Sequence, residues 1–271
     1  MSGLRVPTQV TQNIARAKSL LRRDDPIRGL ESLLLGIDLY RPAKLLAKAR
    51  FEVTVLIEEC VQELNRQKQV KDFLQSVSKS EKASIAYTPG EEGKLKPMLL
   101  IIHKALKEIE ASKLKNAEEE RQQRREHLRQ KGIAYLQNND GPRGKAALRV
   151  LADEYGTERG ILVDIGGYLE KAGFLFDALE FYQQSIELFP KDSRAYTGAA
   201  NCAMTLREAE AAVDIYTKAL KSFGKHPITM LNLANAYLMA NNRDKAFEYA
   251  LAAAKADPTN EEAKELADRL S

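Results

Sequence analysis

The residues that could do chemistry are few. The chain has three histidines, His103, His127 and His226, and two cysteines, Cys60 and Cys202. No histidine has a ligand-type residue three or four positions on, and there is no His-Glu-x-x-His run, so no helix presents a zinc-binding pair. Each cysteine sits on an apolar helical pattern without a neighbouring cysteine or activating histidine, which predicts buried structural thiols. The run Gly141-Pro142-Arg143-Gly144-Lys145-Ala146 has the outline of a phosphate loop. It lacks the first glycine at the required spacing and the Ser or Thr that would hold magnesium, and reads instead as a turn between paired helices. The expectation is therefore no catalytic residue, no metal site, no cofactor and no enzyme.

What must be explained instead is the scaffold. The 271 residues are 44% hydrophobic and 30% charged, enough to bury a core over one or two domains. Ala, Leu, Glu, Lys and Arg are the helix-forming majority. The net charge of +4 is unevenly spread. Residues 1–115 hold 21 Lys/Arg against 14 Asp/Glu, or +7, and residues 116–271 hold 21 against 24, or −3. No Lys/Arg run exceeds three, so this excess reads as a solvated helical surface more readily than as a nucleic-acid footprint. Two distant cysteines with no disulfide framework fit a reducing compartment. No apolar run approaches the ~18 residues of a membrane span, and residues 1–23 lack the apolar core of a signal peptide. Together these features predict a cytoplasmic protein.

The second half is one pattern written repeatedly. Ala178-x3-Tyr182-x2-Ser185 closes at Pro190, Ala212-x3-Tyr216-x2-Ala219 at Gly224, and Ala246-x3-Ala250-x2-Ala253 at Pro258. The leading alanines are 34 residues apart each time. A preceding helix repeats in the same phase: Leu162, Ile165, Gly166 and Leu169; then Tyr196, Ala199, Ala200 and Ala203; then Met230, Leu233, Ala234 and Tyr237. Small residues recur where two helices must approach, large ones where the space between them is filled, and proline stops the second helix.

These units resemble tetratricopeptide repeats, over 159–192, 193–226 and 227–260. A degenerate unit, 125–158, shares the phase through Leu128, Gly132, Tyr135, Leu148 and Leu151, and departs at Gly144, where alanine is usual. The resemblance implies an all-α fold, a right-handed α-solenoid of helical hairpins, with 261–271 as a polar helix capping the last repeat. It also implies a concave groove lined by first helices that receives a segment of another protein. On that register the groove candidates are Glu170 and Lys171; Arg194, Thr197, Asn201, Met204 and Thr205; and Leu231, Asn232, Asn235, Leu238 and Met239. Asn201 and Asn235 are 34 apart, and their amides either pair with a peptide backbone or are polar residues tolerated on an exposed face. Family members that clamp a chaperone's C-terminal carboxylate use lysines where this chain has Val163, Thr197 and Leu231, which points away from that ligand and toward an extended or helical apolar segment.

Residues 1–75 are less legible. Helices are expected over 8–23 and 26–40, with Asp24 and Asp25 as caps and Pro26 in a first turn. Gly29-x3-Leu33-x2-Gly36 faintly echoes the repeats' second helix. A long helix is expected from Pro42 to about Leu74. Residues 76–97 mix Ser, Lys, Glu, Gly and Pro without apolar period and are expected to be a linker. A connecting helix follows over 98–124, its charged end steadied by i,i+4 pairs. The function expected is a protein-binding scaffold or adaptor, with a homo-oligomer left open. The alternatives are a nucleic-acid-associated protein using the basic half, or an enzyme with a site in residues 1–115.

Overall fold

The computed structural model describes residues 6–40 and 45–271. Every regular element among them is helical, as expected of an all-α chain. The elements are α1 (Thr8–Leu21), α2 (Pro26–Leu39), α3 (Ala47–Arg66), α4 (Lys68–Ser78), α5 (Glu92–Gln137), α6 (Gly141–Tyr155), α7 (Ile161–Lys171), α8 (Leu175–Leu188), α9 (Ser193–Leu206), α10 (Ala209–Phe223), α11 (Pro227–Met239), α12 (Arg243–Ala256) and α13 (Glu261–Leu270). The chain divides into two compact units, Met1–Glu119 and Glu120–Ser271. Helix α5 gives its first part to unit 1 and its last part to unit 2.

Unit 2 is a stack of hairpins, α6 following the end of α5, then α7–α8, α9–α10 and α11–α12. The turn inside each is built the same way. Asn139, Gly173, Arg207 and Asn241 are left-handed and stand 34 residues apart. The next residue in each case sends its N–H five residues back, Asp140 to Tyr135, Phe174 to Leu169, Glu208 to Ala203 and Asn242 to Tyr237. This closes the first helix with the bonds of a Schellman ending and reverses the chain in a few residues. Five residues after each turn residue comes Gly144, Ala178, Ala212 or Ala246, all buried. A side chain at Gly144 would put its Cβ 2.6 Å from Leu136, which is why this unit departs from alanine. Helix α13 covers the open end: Ala263, Leu266 and Ala267 are buried against Met230, Leu231, Ala234, Ala250 and Ala253, as a capping helix must.

Unit 1 contains the same hairpin. Asp24 is left-handed, Asp25 sends its N–H back to Leu20, and Asp25 caps α2 by accepting the Arg28 N–H at 3.2 Å. Five residues after Asp24 comes Gly29, whose Cβ would lie 2.6 Å from Leu21. Seven residues before it comes Ala17, fully buried, in the place of Gly132, Gly166, Ala200 and Ala234. The echo of the repeat pattern in 26–40 is thus a hairpin of the repeat kind.

Elsewhere in the chain three expectations change. Pro42 lies outside the described residues, and the helix read from it is two helices. Gln67 is extended (ψ 127°) because its buried side chain turns to donate to the Leu21 carbonyl at 2.7 Å, and an extended residue ends a helix. The stretch 76–97 is no free linker. Ile85 and Leu95 are buried in the unit 1 core, and Asn65 both donates to the Ile85 carbonyl (3.0 Å) and accepts its N–H (2.8 Å). Its polar composition concealed two anchoring apolar residues. The charged part of α5 carries the expected i,i+4 contact Lys115–Glu119 at 3.7 Å, but within unit 2 its arginines reach further. Arg124 meets Glu154 at 2.6 Å, and Arg121 and Arg125 share Glu158.

Candidate functional site

Six of the sequence-predicted groove residues line two hollows on α7, α9 and α11. Glu170, Lys171, Arg194, Thr197 and Asn201 line an open hollow of about 490 Å³ between α7 and α9. Thr197 and Asn201 also line a neighbouring hollow of about 360 Å³ that reaches Asn232 on α11. Asn201 stands on the ridge between the two. It is exposed, its amide has no hydrogen-bond partner among the described residues, and its main-chain carbonyl accepts the Thr205 hydroxyl at 2.8 Å.

The other candidates are placed differently. Leu231 is 4% exposed and belongs to the core under α13, so it cannot offer apolar contact to a ligand. Its side chain fills the last repeat instead. Met204 and Met239 pack half-buried against the central core, and Leu238 against the terminal one. Thr205 is exposed, and Asn235 is half-buried and lines neither hollow. Val163, at a position where a carboxylate clamp would carry lysine, is also buried.

The first hollow is polar. Arg194 lines it, its guanidinium held by Asp192 through Nε–Oδ1 at 3.1 Å and Nη2–Oδ2 at 2.8 Å, with Asp164 at 3.7 Å. Asp192 also caps α9 by accepting the Arg194 N–H at 3.2 Å. These Arg194 hydrogen bonds hold its carboxyl below the usual range, against the opposing pull of burial. Glu170 accepts the Tyr182 hydroxyl at 2.7 Å and has no ion-pair partner among the described residues. Burial, and then Glu170, push the Tyr182 hydroxyl well above its ordinary pKa, so it remains a donor.

Tyr182 was legible only as a core aromatic of the second helix. It reaches the groove because two glycines make room. A Cβ at Gly166 would lie 2.7 Å from its ring, and one at Gly198 only 2.2 Å. Gly198, in the middle of α9, was the available signal, since glycine there costs helix stability and marks a close approach. The second hollow is more apolar, with Tyr196, Tyr216, Phe223 and Ile228 in its wall. Tyr196 and Phe223 meet edge to face at 5.3 Å.

The chemistry-bearing residues stay apart. His103 Nε2 lies 3.2 Å from Glu31, while His127 and His226 are exposed. No group of three His, Cys, Asp or Glu among the described residues could hold a metal ion. Both cysteines are buried and unpaired. Burial pushes the Cys60 thiol up to about 12 and, with Glu170 adding to it, the Cys202 thiol up to about 11, which keeps both protonated and unreactive. No described helix is long and apolar enough to cross a membrane.

A known sequence signature agrees with this architecture. The sequence signature of the tetratricopeptide repeat matches residues 163–227 and 198–261. Similar solved structures include YrrB, described as a TPR protein with an unusual peptide-binding site (21% identity, 46% of this chain and 64% of that one, TM-score 0.38). They also include MamA from Desulfovibrio magneticus RS-1 (14%, 54% and 83%, 0.41) and the TPR domain of Arabidopsis OM64 (23%, 42% and 93%, 0.36). The chain thus spans less than two thirds of YrrB. No curated protein sequence matches it. With the repeat signature over 163–261 and one turn geometry recurring every 34 residues, this part of the chain is an array of tetratricopeptide repeats.

Proposed function

We propose that the protein is a non-catalytic scaffold or adaptor that holds a segment of another protein in the concave groove of 159–260. The observation that carries this reading is the ridge at Asn201. An exposed amide with no hydrogen-bond partner among the described residues stands between a polar and an apolar hollow, as a group that pairs with an incoming backbone would. The open polar and apolar walls suit a peptide's mixed surface. In unit 1, by contrast, Lys18, Arg22, Lys96 and Lys107 are already tied to Glu59, Glu63, Asp38 and Glu31, which leaves less of the basic excess for phosphates.

The test begins with a partner captured from the native extract, identified, and purified. Asn201→Ala should weaken its binding by roughly 1–3 kcal/mol, the cost of leaving polar groups of a buried interface unpaired, with helicity and melting unchanged. Asn235→Ala should matter less, because Asn235 lines neither hollow. Full affinity in the Asn201 variant, together with loss of capture on changing unit 1, would move the functional surface to unit 1.

A further inference from the structure

The hairpin α1–α2 shows what a repeat-type hairpin of this chain does with its groove face. Counted from the shared left-handed residue, α1 places Ile14, Lys18, Leu21 and Arg22 where α9 places Thr197, Asn201, Met204 and Thr205. The Lys18 and Arg22 side chains meet α3, and the Ile14 and Leu21 carbonyls meet α3 and the residue that ends it, while the Ile14 and Leu21 side chains lie against Gly36 and Gly29 of α2. Cys60 Sγ lies 3.5 Å from the Ile14 carbonyl, Lys18 meets Glu59 at 2.8 Å, Gln67 donates to the Leu21 carbonyl, and Arg22 meets Glu63 at 3.4 Å. Residues 14 and 18 meet 60 and 59, and residues 21 and 22 meet 67 and 63, so α3 runs parallel to α1.

Helix α3 is not simply the next repeat. Of the preceding hairpin, α9 packs on the second helix α8 more than on the first helix α7, and α11 packs on α10 more than on α9; α3 packs on the first helix α1 and only brushes α2. It therefore lies across the face that α9 leaves open. It is amphipathic, burying Val53, Ile57, Cys60, Val61 and Leu64 at helical spacing and flanking that stripe with Glu59 and Glu63.

We infer that the open groove of unit 2 takes an amphipathic helix, laid along α9 as α3 is laid along α1. This rests on the reading of the groove as the binding site and adds the partner's conformation and chemistry. The helix brings an apolar stripe over the second hollow and polar side chains to Asn201 and Thr205. Where it passes α7 it carries Lys or Arg, because Glu170 has no ion-pair partner among the described residues, whereas α3 carries acids opposite Lys18 and Arg22.

The equivalence is tested with α3 itself as probe. A fluorescein-labelled peptide of residues 46–67 is titrated, at low salt, into the full chain and into the full chain carrying Thr197→Ile, Asn201→Lys, Met204→Leu and Thr205→Arg, which writes the α1 face onto α9. The variant should bind at least tenfold tighter than the unsubstituted chain, and circular dichroism should show the peptide gaining helix. Asn201→Lys with Thr205→Arg alone, at two exposed positions that leave the core untouched, should give a smaller gain of about fivefold. A peptide with Glu58→Pro, which breaks the helix at an exposed position and removes none of the contact side chains, should lose that gain. Folded variants that bind no tighter, or a proline peptide that binds as well as its parent, would overturn the helical mode. Neither result bears on whether the natural partner needs Asn201, so the groove assignment stands or falls separately.

Discussion

The hairpins α1–α2 and α9–α10 begin alike and end differently. Both turn through a left-handed residue, Asp24 or Arg207, both close with the same backward hydrogen bond, and both keep a small residue where the helices touch, Gly29 or Ala212. Yet the groove face of α1 is covered by α3, while that of α9 opens onto two hollows. The difference is not in the hairpin, whose turn and small residues are local. It lies in what the chain does afterwards. After Leu206 a second helix and another hairpin continue the stack. Beyond Leu39 comes a helix with an apolar edge and acids spaced to meet Lys18 and Arg22, and it folds back over the face.

If the close-contact position defines both hairpins, the largest effect should come from putting a charge there. Ala246 is fully buried between α11 and α12, and Ala246→Glu leaves a carboxylate without a partner. We expect a loss of roughly 3–5 kcal/mol, seen as a large fall in the thermal midpoint by circular dichroism; a wild-type melt would break the register. A smaller effect separates the two regions. Gly29→Ala forces Leu21 aside and should cost about 1–3 kcal/mol of overpacking. At the equivalent position in unit 2, where alanine is native, Ala178→Gly should cost only about 0.5–1 kcal/mol through helix propensity. Equal costs in denaturant melts would show that the two contacts are alike after all.

Another small effect concerns the start of α9. Asp192→Ala removes a cap and should cost about 0.5–2 kcal/mol. The Asp192 carboxyl is held below its ordinary value of 3.8, so the folded state favours the ionised form. Its contribution is complete well above that value and is lost as pH falls through the lower folded one. Wild-type and Asp192→Ala stabilities should therefore converge in acid, and a gap that stays constant down to pH 2 would assign the effect to the cap geometry alone.

Much of this was legible in the residues. The 34-residue phase, the small residues at 166, 200 and 234 and the alanines at 178, 212 and 246 determine the hairpins, because a tight helix pair needs small side chains at one fixed distance on either side of its turn. The polar helix over 261–271 and the two inert thiols were also readable, since amphipathic spacing declares which side is buried. The groove was only half readable. Register said which positions of the first helices face one side, and it brought Glu170, Arg194, Thr197 and Asn201 together.

Tertiary structure decided the rest. Whether a side chain at a groove position stays outside depends on the space beneath it. Leu231 sinks into a gap that α13 closes, while Thr197 stays out over the close-packed Tyr182 and Gly198. Tyr182 enters the groove from behind because glycines on two different helices leave its ring a passage. Asn65 and Ile85 turn an apparent linker into part of a core, and α3 covers the face of α1 although nothing local to α1 asks for it. Local sequence sets the geometry of each turn and each helix pair through short-range sterics and hydrogen bonds. Which faces then remain open is settled by contacts between residues tens of positions apart, whose complementarity appears only once the chain has folded.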